Sequence, residues 1–417
     1  MRSFRLPALA LAVIGVLTVA SAVRSATPHT AASASGGARA ASAPRNLLRN
    51  PGFEQGLADH PWMPAAWDTF QSGLNTVFFG RDTVLAHSGR YAVSVANLST
   101  LVPMFHNWSQ TLVVGRELWG KDLTFSVWTR SNGLQGRAYI LLQAYRDTVT
   151  KMARLWSIDR DAALERLHMN KPDDPLVNLG WDRQYFSEPE TDWIRRDVHV
   201  YVPPSVNVLV VRCGIFGVGQ VMFDDASLTA APARAPQPLP LNTNLLKDPG
   251  FEGTGDAWEY SMPPYEGMVI ERDTTVFHGG HSAIRMEGGL QGPVPVRAGV
   301  CQVVANRWLS GKRLRLSGWV RTDSLQGQAY VKIYCSTLNG DVHDATPAEF
   351  GMNTDWTRTV MEVDAPPGTY QVWAWFLYNC PAAGRVHYDD VSLEVLGQAD
   401  YITNGTPPPK PLPLPAR

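Results

Sequence analysis

The chain has 417 residues, which is long for a single hydrophobic core and makes two domains of ordinary size the natural expectation. Its 37 Lys and Arg nearly balance its 38 Asp and Glu, for a formal net charge of −1, and no Lys/Arg cluster marks a nucleic-acid-binding face. Aromatic residues make up 10% of the chain, beside 35 Gly and 31 Pro, a mixture that favours short strands joined by turns and predicts a mostly β protein.

The N-terminus has the pattern of an export signal. A short basic start, MRSFR, precedes the apolar run LPALALAVIGVLTVA, and Ala20-Ser21-Ala22 is a small-residue cleavage pattern. That run is too short for a comfortable membrane span, and no other stretch is apolar enough to cross a bilayer. We predict a signal peptide over residues 1–22, a disordered leader over 23–45, and a secreted protein, extracellular or periplasmic.

The rest of the sequence is an internal duplication. NLLRNPGFE (Asn46–Glu54) returns as NLLKDPGFE (Asn244–Glu252), and four more matching blocks follow in the same order, ending with VMFDDASL in one half and VHYDDVSL in the other. The duplication predicts two domains, called here the first copy (46–230) and the second copy (244–396). A Pro/Ala-rich linker over 231–243, extended and fairly stiff, joins them, and a Pro-rich tail covers 397–417.

The copies differ mainly in an insertion over about residues 150–188 of the first copy. Within it, RDAALERLHM is the only good helix signal after the signal peptide. A long insertion on a scaffold of strands often carries specificity.

Strand periodicity predicts the architecture. In LTFSVWTR, Leu123, Phe125 and Val127 point to one side and Trp128 to the other, while AYVKIYC places Val331, Ile333 and Cys335 opposite Tyr330, Lys332 and Tyr334. One face is apolar and the other is polar and aromatic together. With turn signals at fairly regular intervals, this predicts an all-β chain of two tandem jelly-roll β-sandwiches.

Four cysteines in an exported chain permit disulfides. Cys213 stands alone in the first copy, whereas Cys301, Cys335 and Cys380 share the second, so one bridge at most can form within a domain. The sequence does not choose the pair.

Motifs in both copies resemble a known family. NLLRNPGFEQG, AHSGRYAVSV, SQTL with GKDLTFSVWTRS, and the closing FDDASL are similar to carbohydrate-binding modules of the group that includes families four, nine and twenty-two; the second copy matches through NLLKDPGFEG, HGGHSAI, GKRLRLSGWVRT and YDDVSL. The resemblance covers about Asn46–Ala230 and Asn244–Leu396 and implies a galactose-binding-like jelly roll in each copy. The motifs are more specific for the fold than for the ligand, because the same fold serves adhesion and other recognition.

The resemblance also implies a structural calcium ion in each copy. In these modules the opening Glu and the closing Asp lie close together and commonly hold calcium, often with carbonyl groups of the loop that reads SG here. The matching acids are Glu54 with Asp224 or Asp225, and Glu252 with Asp389 or Asp390. Calcium prefers oxygen ligands, and Asp389 lies on the apolar side of its strand, where an unpaired carboxylate is costly. The alternative is that the acids cap turns or pair with Arg81 and Arg272 of the repeated RDT.

Sugar binding requires aromatic faces that stack on pyranose rings, with polar groups nearby for the hydroxyls. On the polar strand face, the candidates are Tyr139, Gln143 and Tyr145 in the first copy, and Tyr330, Lys332 and Tyr334 in the second. Loop aromatics are expected to wall the clefts: Trp62, Trp67 and Trp108, and Trp258, Tyr260 and Tyr265. Trp156 and Trp181 of the insertion are placed to close one end of the first cleft, and the repeated Trp128 and Trp319 serve packing as readily as ligand contact. Because Lys332 and Tyr334 replace Leu141 and Gln143, the two clefts should not take identical ligands.

Catalysis is not expected. A glycosidase needs two carboxylates across a cleft, but the repeated acids belong to the calcium motifs, and Asp173, Asp174, Glu188 and Glu190 of the insertion are typical of an exposed loop. No phosphate-binding loop, nucleophile elbow or metal-binding His pair is present in the sequence.

The sequence therefore predicts a secreted, monomeric, non-catalytic protein that binds polysaccharide or oligosaccharide at two unequal sites, with no nucleic-acid partner and no membrane span. Tandem weak sites gain avidity on a repetitive polymer. The alternatives are an extracellular surface or matrix interaction protein that uses the fold without sugar and, less favoured, an accessory part or cryptic form of a glycoside hydrolase.

Overall fold

The structure, a computed structural model, describes residues 44–71, 76–99, 105–147, 176–261, 268–288, 296–338, 342–345, 350–380 and 383–404. The predicted signal peptide, most of the leader and of the insertion, including its helix signal, and the end of the Pro-rich tail lie outside the described residues. Among the described residues, no helix is both long and apolar enough to cross a membrane.

The first copy is a set of antiparallel strands. They are β1 (Asp68–Gln71), β2 (Val77–Asp82), β3 (Ala92–Asn97), β4 (Phe105–Val113), β5 (Lys121–Asp147), β6 (Leu176–Phe186), β7 (Ile194–Tyr201) and β8 (Val208–Pro232). Their order is β1-β4-β8-β3-β2, and β5 pairs with β6, β7 and β8. Bulges bend β5 where it runs beside β8, so its first half pairs with β7 and its second half with β6.

The second copy repeats this design. Its strands are β9 (Glu259–Ser261), β10 (Met268–Asp273), β11 (Ala283–Gly288), β12 (Val296–Ala305), β13 (Lys312–Thr337), β14 (Val342–Ala345), β15 (Phe350–Asp364), β16 (Thr369–Cys380) and β17 (Gly384–Gln398), before a short helix α1 (Asp400–Thr403). The order is β10-β11-β17-β13-β16-β12-β9, with β14 and β15 paired to β13. β13 is the counterpart of β5, and β16 and β17 together are the counterpart of β8. The prediction of an all-β chain of two tandem sandwiches is confirmed.

Each copy has its own hydrophobic core, built from alternate strand residues. Leu123, Phe125 and Val127 of β5 are fully buried in one core, and Val331 and Ile333 of β13 in the other. The strand faces are therefore as the sequence predicts. Residues 233–240 between the copies have no regular secondary structure.

The cysteines that the structure describes are free and buried: Cys213, Cys301 and Cys335. Cys301 and Cys335 therefore do not supply the one intradomain bridge that the sequence permitted. Burial raises the pKa of each thiol, that of Cys335 to about 12, so these cysteines are packing residues.

Candidate functional site

The opening Glu of each copy holds the loop that reads SG or GG. Glu54 Oε1 accepts hydrogen bonds from the main-chain N–H groups of Arg90 at 2.9 Å and Tyr91 at 3.1 Å. In the second copy, Glu252 Oε1 takes two equivalent N–H groups, at 2.7 and 3.2 Å. The loop glycine must stay small, since a Cβ on Gly280, which has a φ of +62°, would lie 2.0 Å from Glu252 Oε1.

The first Asp of each closing pair is buried against the same loop. Asp224 is fully buried, and its Oδ2 accepts the main-chain N–H groups of His87 at 2.8 Å and Ser88 at 3.1 Å. Asp389 makes the same two bonds, at 2.7 and 3.0 Å. Burial raises the pKa of Asp224 to about 6 and that of Asp389 in the same direction, while the main-chain donors offset part of the cost.

The second Asp of each pair fixes a histidine on a tryptophan. Asp225 Oδ2 lies 2.7 Å from His87 Nδ1, and the imidazole stacks on the Trp128 indole with centroids 3.9 Å apart. The second copy repeats both contacts at the same distances, with Asp390, His278 and Trp319. In each copy, the stacked His and Trp side chains therefore hold the loop against the sheet.

The donor set at these loops determines how well calcium fits. The carboxylates supply hard oxygen ligands, but the loop meets them with N–H groups, and within the described ranges no three His, Cys, Asp or Glu side chains converge to hold a metal ion. The alternative pairing with arginine is wrong in detail, because Arg81 donates to the main-chain carbonyls of Phe53, Glu54 and Pro61 rather than to a carboxylate. In the described residues, the acids cap turns by accepting hydrogen bonds from main-chain N–H groups of the loop.

The expected ligand face of the first copy is covered. Tyr139 and Gln143 are buried, Tyr145 is nearly so, and burial raises the pKa of Tyr139 to about 12. Gln143 Oε1 accepts a hydrogen bond of 2.5 Å from Arg212 Nη1. These three side chains have no free face for a sugar, so their assignment as ligand contacts is wrong.

Contacts from the second copy explain part of this burial. Arg183 Nη1 forms a 2.7 Å ion pair with Glu259 Oε2 across the two copies. Arg137 donates to the Trp258 carbonyl at 2.9 Å, and its guanidinium lies over the rings of Tyr185 and Tyr260, 3.9 and 4.1 Å from their centroids. Tyr260 is therefore a junction residue rather than a cleft wall.

Three of the loop tryptophans are core residues. Trp67, Trp108 and Trp258 are buried, and each Nε1 donates to a main-chain carbonyl at 3.0 or 3.1 Å. Their expected ligand role is wrong, because buried indoles have no face for a sugar. Trp62 is 49% exposed and remains a candidate ligand contact. Tyr265 and Trp156 lie outside the described residues.

The polar face of the second copy carries an aromatic surface. Tyr330, Lys332 and Tyr334 are half-buried on the side of β13 opposite the core and lie beside Leu377, Trp375 and Trp373 of β16, respectively. We call Tyr330, Lys332, Tyr334, Trp373 and Trp375 the aromatic platform. The two tryptophans were missed from the sequence, although VWAWFLY alternates like the strand that was recognised.

The platform has a defined geometry. The indoles of Trp373 and Trp375 are nearly parallel, with centroids 6.1 Å apart and planes at 8°. Lys332 Nζ lies 4.5 Å from the centroid of the Tyr334 ring. Trp181, expected to close the first cleft, instead contacts the platform, 5.9 Å from Trp373 between ring centroids.

Comparison with known proteins finds similarity in solved structures only. No family model and no curated protein matches the chain. The tandem CBM22-1–CBM22-2 domain of Xyn10C from Paenibacillus barcinonensis matches at 12% identity, over 86% of this chain and 100% of that chain, with a TM-score of 0.30. TmCBM61, solved with β-1,4-galactotriose, matches at 18% identity over 37% of this chain and 99% of its own, with a TM-score of 0.28. A family 16 carbohydrate-binding module matches at 19% identity over 36% and 99%, with a TM-score of 0.29.

These structures are carbohydrate-binding modules, and modules of families 22 and 4, two of the three named in the resemblance, are among the matches. At such identities the likeness is one of fold alone.

The described acids that border the insertion have local partners. Glu188 Oε2 pairs with Arg196 Nη2 at 3.0 Å, and Glu190 Oε1 accepts the main-chain N–H of Gly133 at 2.7 Å. Asp173 and Asp174 lie outside the described residues. Both glutamates therefore stabilise the loop around β5.

Proposed function

We propose that this chain is a non-catalytic polysaccharide-binding protein whose ligand lies on the aromatic platform of the second copy. One observation carries the proposal: Trp373 and Trp375 form a parallel pair of rings, with Tyr330, Lys332 and Tyr334 beside them, on the face turned away from the core. A sugar ring has an apolar C–H face and polar edges, so it suits a surface of aromatic side chains with a few polar groups.

The size of the platform favours an oligosaccharide segment over a single sugar. Tyr330 and Tyr334 are four residues apart on β13, which is roughly 13 Å along a strand. Lys332 lies between them and brings a positive charge to the platform, with its Nζ 4.5 Å from the centroid of the Tyr334 ring.

The two copies have unequal roles in this proposal. The described part of the matching face in the first copy is covered, since Tyr139, Gln143 and Tyr145 are buried. The first copy contributes Trp181 beside Trp373 and the arginines of the junction. The proposal therefore keeps the predicted inequality of the two copies in another form, with the ligand on the half-buried platform of the second copy.

Three further parts of the proposal rest on narrower support. Secretion rests on the N-terminal sequence pattern. Binding without catalysis is supported by the loop contacts that Glu188 and Glu190 already make. Calcium at the two SG-type loops is supported by the contacts that the opening and closing acids make with the same loop in each copy. The acids that would hold it are Glu54 with Asp224 or Asp225, and Glu252 with Asp389 or Asp390.

Affinity electrophoresis of the full chain in gels containing β-glucan, xylan or galactan tests the binding function. We expect at least one polymer to retard the wild type and Trp375→Ala to abolish that retardation. Phe78→Ala removes a ring that is 57% exposed and lies outside the platform, and this variant should migrate as the wild type does.

Two results would contradict the proposal. Folded wild-type protein that no polymer retards would favour a surface interaction role without sugar, and a Trp375→Ala variant still fully retarded would place the ligand elsewhere. Reducing-sugar release from any of these polymers would overturn the non-catalytic assignment.

A further inference from the structure

A cleft of about 280 Å³ lies where the two copies meet the segment that joins them. Its walls come from Trp181 and Tyr201 of the first copy, Arg234 of the joining segment, and Arg307 and Tyr370 of the second copy. We call it the junction cleft. It combines aromatic rings with charged and amide groups, which is the composition of a site for a small polar ligand.

The charge in the junction cleft is unbalanced. Arg234 and Arg307 face a single carboxylate, Asp122, whose Oδ2 already accepts the main-chain N–H of Arg234 at 2.8 Å. Arg307 donates to the Arg234 carbonyl, and its guanidinium lies 4.5 Å from the centroid of the Tyr201 ring. Among the described residues, neither guanidinium pairs with a carboxylate. The cleft thus presents positive charge held against an aromatic wall.

A guanidinium has five N–H donors in a planar fork that matches a carboxylate. The Tyr201 ring and the Arg234 carbonyl both contact the Arg307 guanidinium, so less side-chain freedom is lost when it binds an anion. A charge-assisted pair of this kind is about twice as strong as a neutral hydrogen bond.

The junction cleft adjoins the aromatic platform. Trp181 lines the cleft and contacts Trp373 of the platform, with ring centroids 5.9 Å apart. On β16, Gln371 lines the cleft two residues before Trp373. A saccharide on the platform therefore reaches the cleft at its Trp373 end.

We propose that the junction cleft is a subsite for a sugar residue that carries a carboxylate, a uronosyl unit of the bound saccharide. This rests on the proposed function, in that the platform holds the rest of the chain. The cleft volume of about 280 Å³ lies just below the range of drug-sized ligand pockets, which begins at about 300 Å³, and so suits one sugar unit. Arg307 and Arg234 bind the carboxylate, and Tyr201 and Trp181 supply apolar contact.

The test measures binding of the full chain to three polymers: glucuronoxylan, the same polymer after carboxyl reduction, and sulfated xylan. We expect the wild type to bind glucuronoxylan about tenfold more tightly than the reduced polymer, with the preference shrinking at high salt because charge pairs are screened. Arg307→Gln should lower the preference to less than twofold while binding to the reduced polymer persists.

Matched variants separate the possible causes. Arg358→Gln removes one positive charge from an exposed position of β15 and should keep the full preference. Arg234→Gln removes an exposed cleft arginine with no side-chain partner among the described residues, so a loss of preference there, with an unchanged melting temperature, is not a folding defect. Trp375→Ala should weaken binding to both xylans.

Each remaining outcome overturns the subsite. Equal wild-type binding to glucuronoxylan and its reduced form refutes it, as does no binding to glucuronoxylan at all. Equal or tighter binding of sulfated xylan, lost in Arg307→Gln, would make the cleft a general anion site rather than a carboxylate subsite. Failure of the proposed function gives a different result: no neutral polymer would then retard the wild type in affinity electrophoresis.

Discussion

Arg183 and Glu259 form an ion pair of 2.7 Å between the two copies, with side chains only 8% and 16% exposed. Burial raises the pKa of Tyr185, whose hydroxyl lies 3.2 Å from Glu259 Oε2; the Arg183 charge opposes this rise and the Glu259 charge adds to it. A buried pair of this kind fixes one arrangement of its partners, because either charge left alone there would be costly. The copies are therefore held by more than the segment that joins them.

Glu259→Gln should lower the free energy of unfolding by about 3–5 kcal/mol, since it leaves the Arg183 charge buried without its partner. Asp192→Asn is the matched control: it breaks the Arg130–Asp192 pair, where Asp192 is 85% exposed, and should cost about 0–1 kcal/mol. Chemical denaturation of the full chain measures both. Equal costs would mean that the junction pair contributes no more than a surface one.

Sequence periodicity predicts the strand faces well, because alternation is a local property. Leu123 and Val331 lie in their cores as expected, and Tyr330 and Tyr334 lie opposite. The loop tryptophans fail for a different reason. Whether Trp258 turns inward depends on a carbonyl ten residues away, that of Asp248, and on packing against Phe376, neither of which local composition reveals.

Strand alternation also could not predict that the polar face of the first copy is covered. Tyr139 alternates as a surface residue, yet it packs with Tyr185, which contacts a residue of the other copy. By contrast, Trp373 and Trp375 were within reach, because they alternate with buried Val372 and Ala374 in a continuous strand pattern.

The double variant Tyr330→Ala/Tyr334→Ala should lose polysaccharide retardation with little loss of stability, because both rings are half-buried on the platform. Phe376→Ala, on the core face of the neighbouring strand, should instead cost about 3–5 kcal/mol. Affinity electrophoresis and denaturation of both variants provide the comparison. A double variant that unfolds would show that the tyrosines support the fold rather than a ligand.

Calcium should raise the melting temperature and a chelator should lower it, if the opening and closing acids hold an ion. Binding linkage gives about 2.7 kcal/mol of stabilisation when free calcium is a hundredfold above its dissociation constant. Glu252→Gln should reduce the shift, whereas Glu271→Gln, which removes an exposed carboxylate paired with Arg285, should not. No shift in the wild type would remove calcium from both loops.

Gly280→Ala should destabilise the second copy. A residue other than Gly at a φ of +62° costs roughly 1–2 kcal/mol, and the new Cβ would displace Glu252 Oε1 from its two loop N–H groups. Gly80→Ala is the control, since a Cβ there has no atom within 4 Å and the strand favours Ala over Gly by up to about 1 kcal/mol. Denaturation midpoints that fall equally in both variants would contradict the role assigned to the loop glycine.

His106 should make the folded state sensitive to mild acid. Its side chain is fully buried in the first copy, and burial lowers its pKa from 6.5 to about 4. Between these two values the unfolded chain binds a proton that the folded chain does not, so the His106 contribution to stability falls by about 3 kcal/mol as the pH falls through this window. Asp224, whose pKa burial raises to about 6, contributes with the opposite sign in the same window. His106→Gln cannot titrate, so its unfolding free energy should lose this contribution and rise relative to that of the wild type as the pH falls from 6.5 to 4, whatever its absolute stability. His60→Gln, at an exposed position, should keep the wild-type slope. If the slopes of all three proteins coincide between pH 4 and 6.5, the buried imidazole is not the group that couples folding to pH.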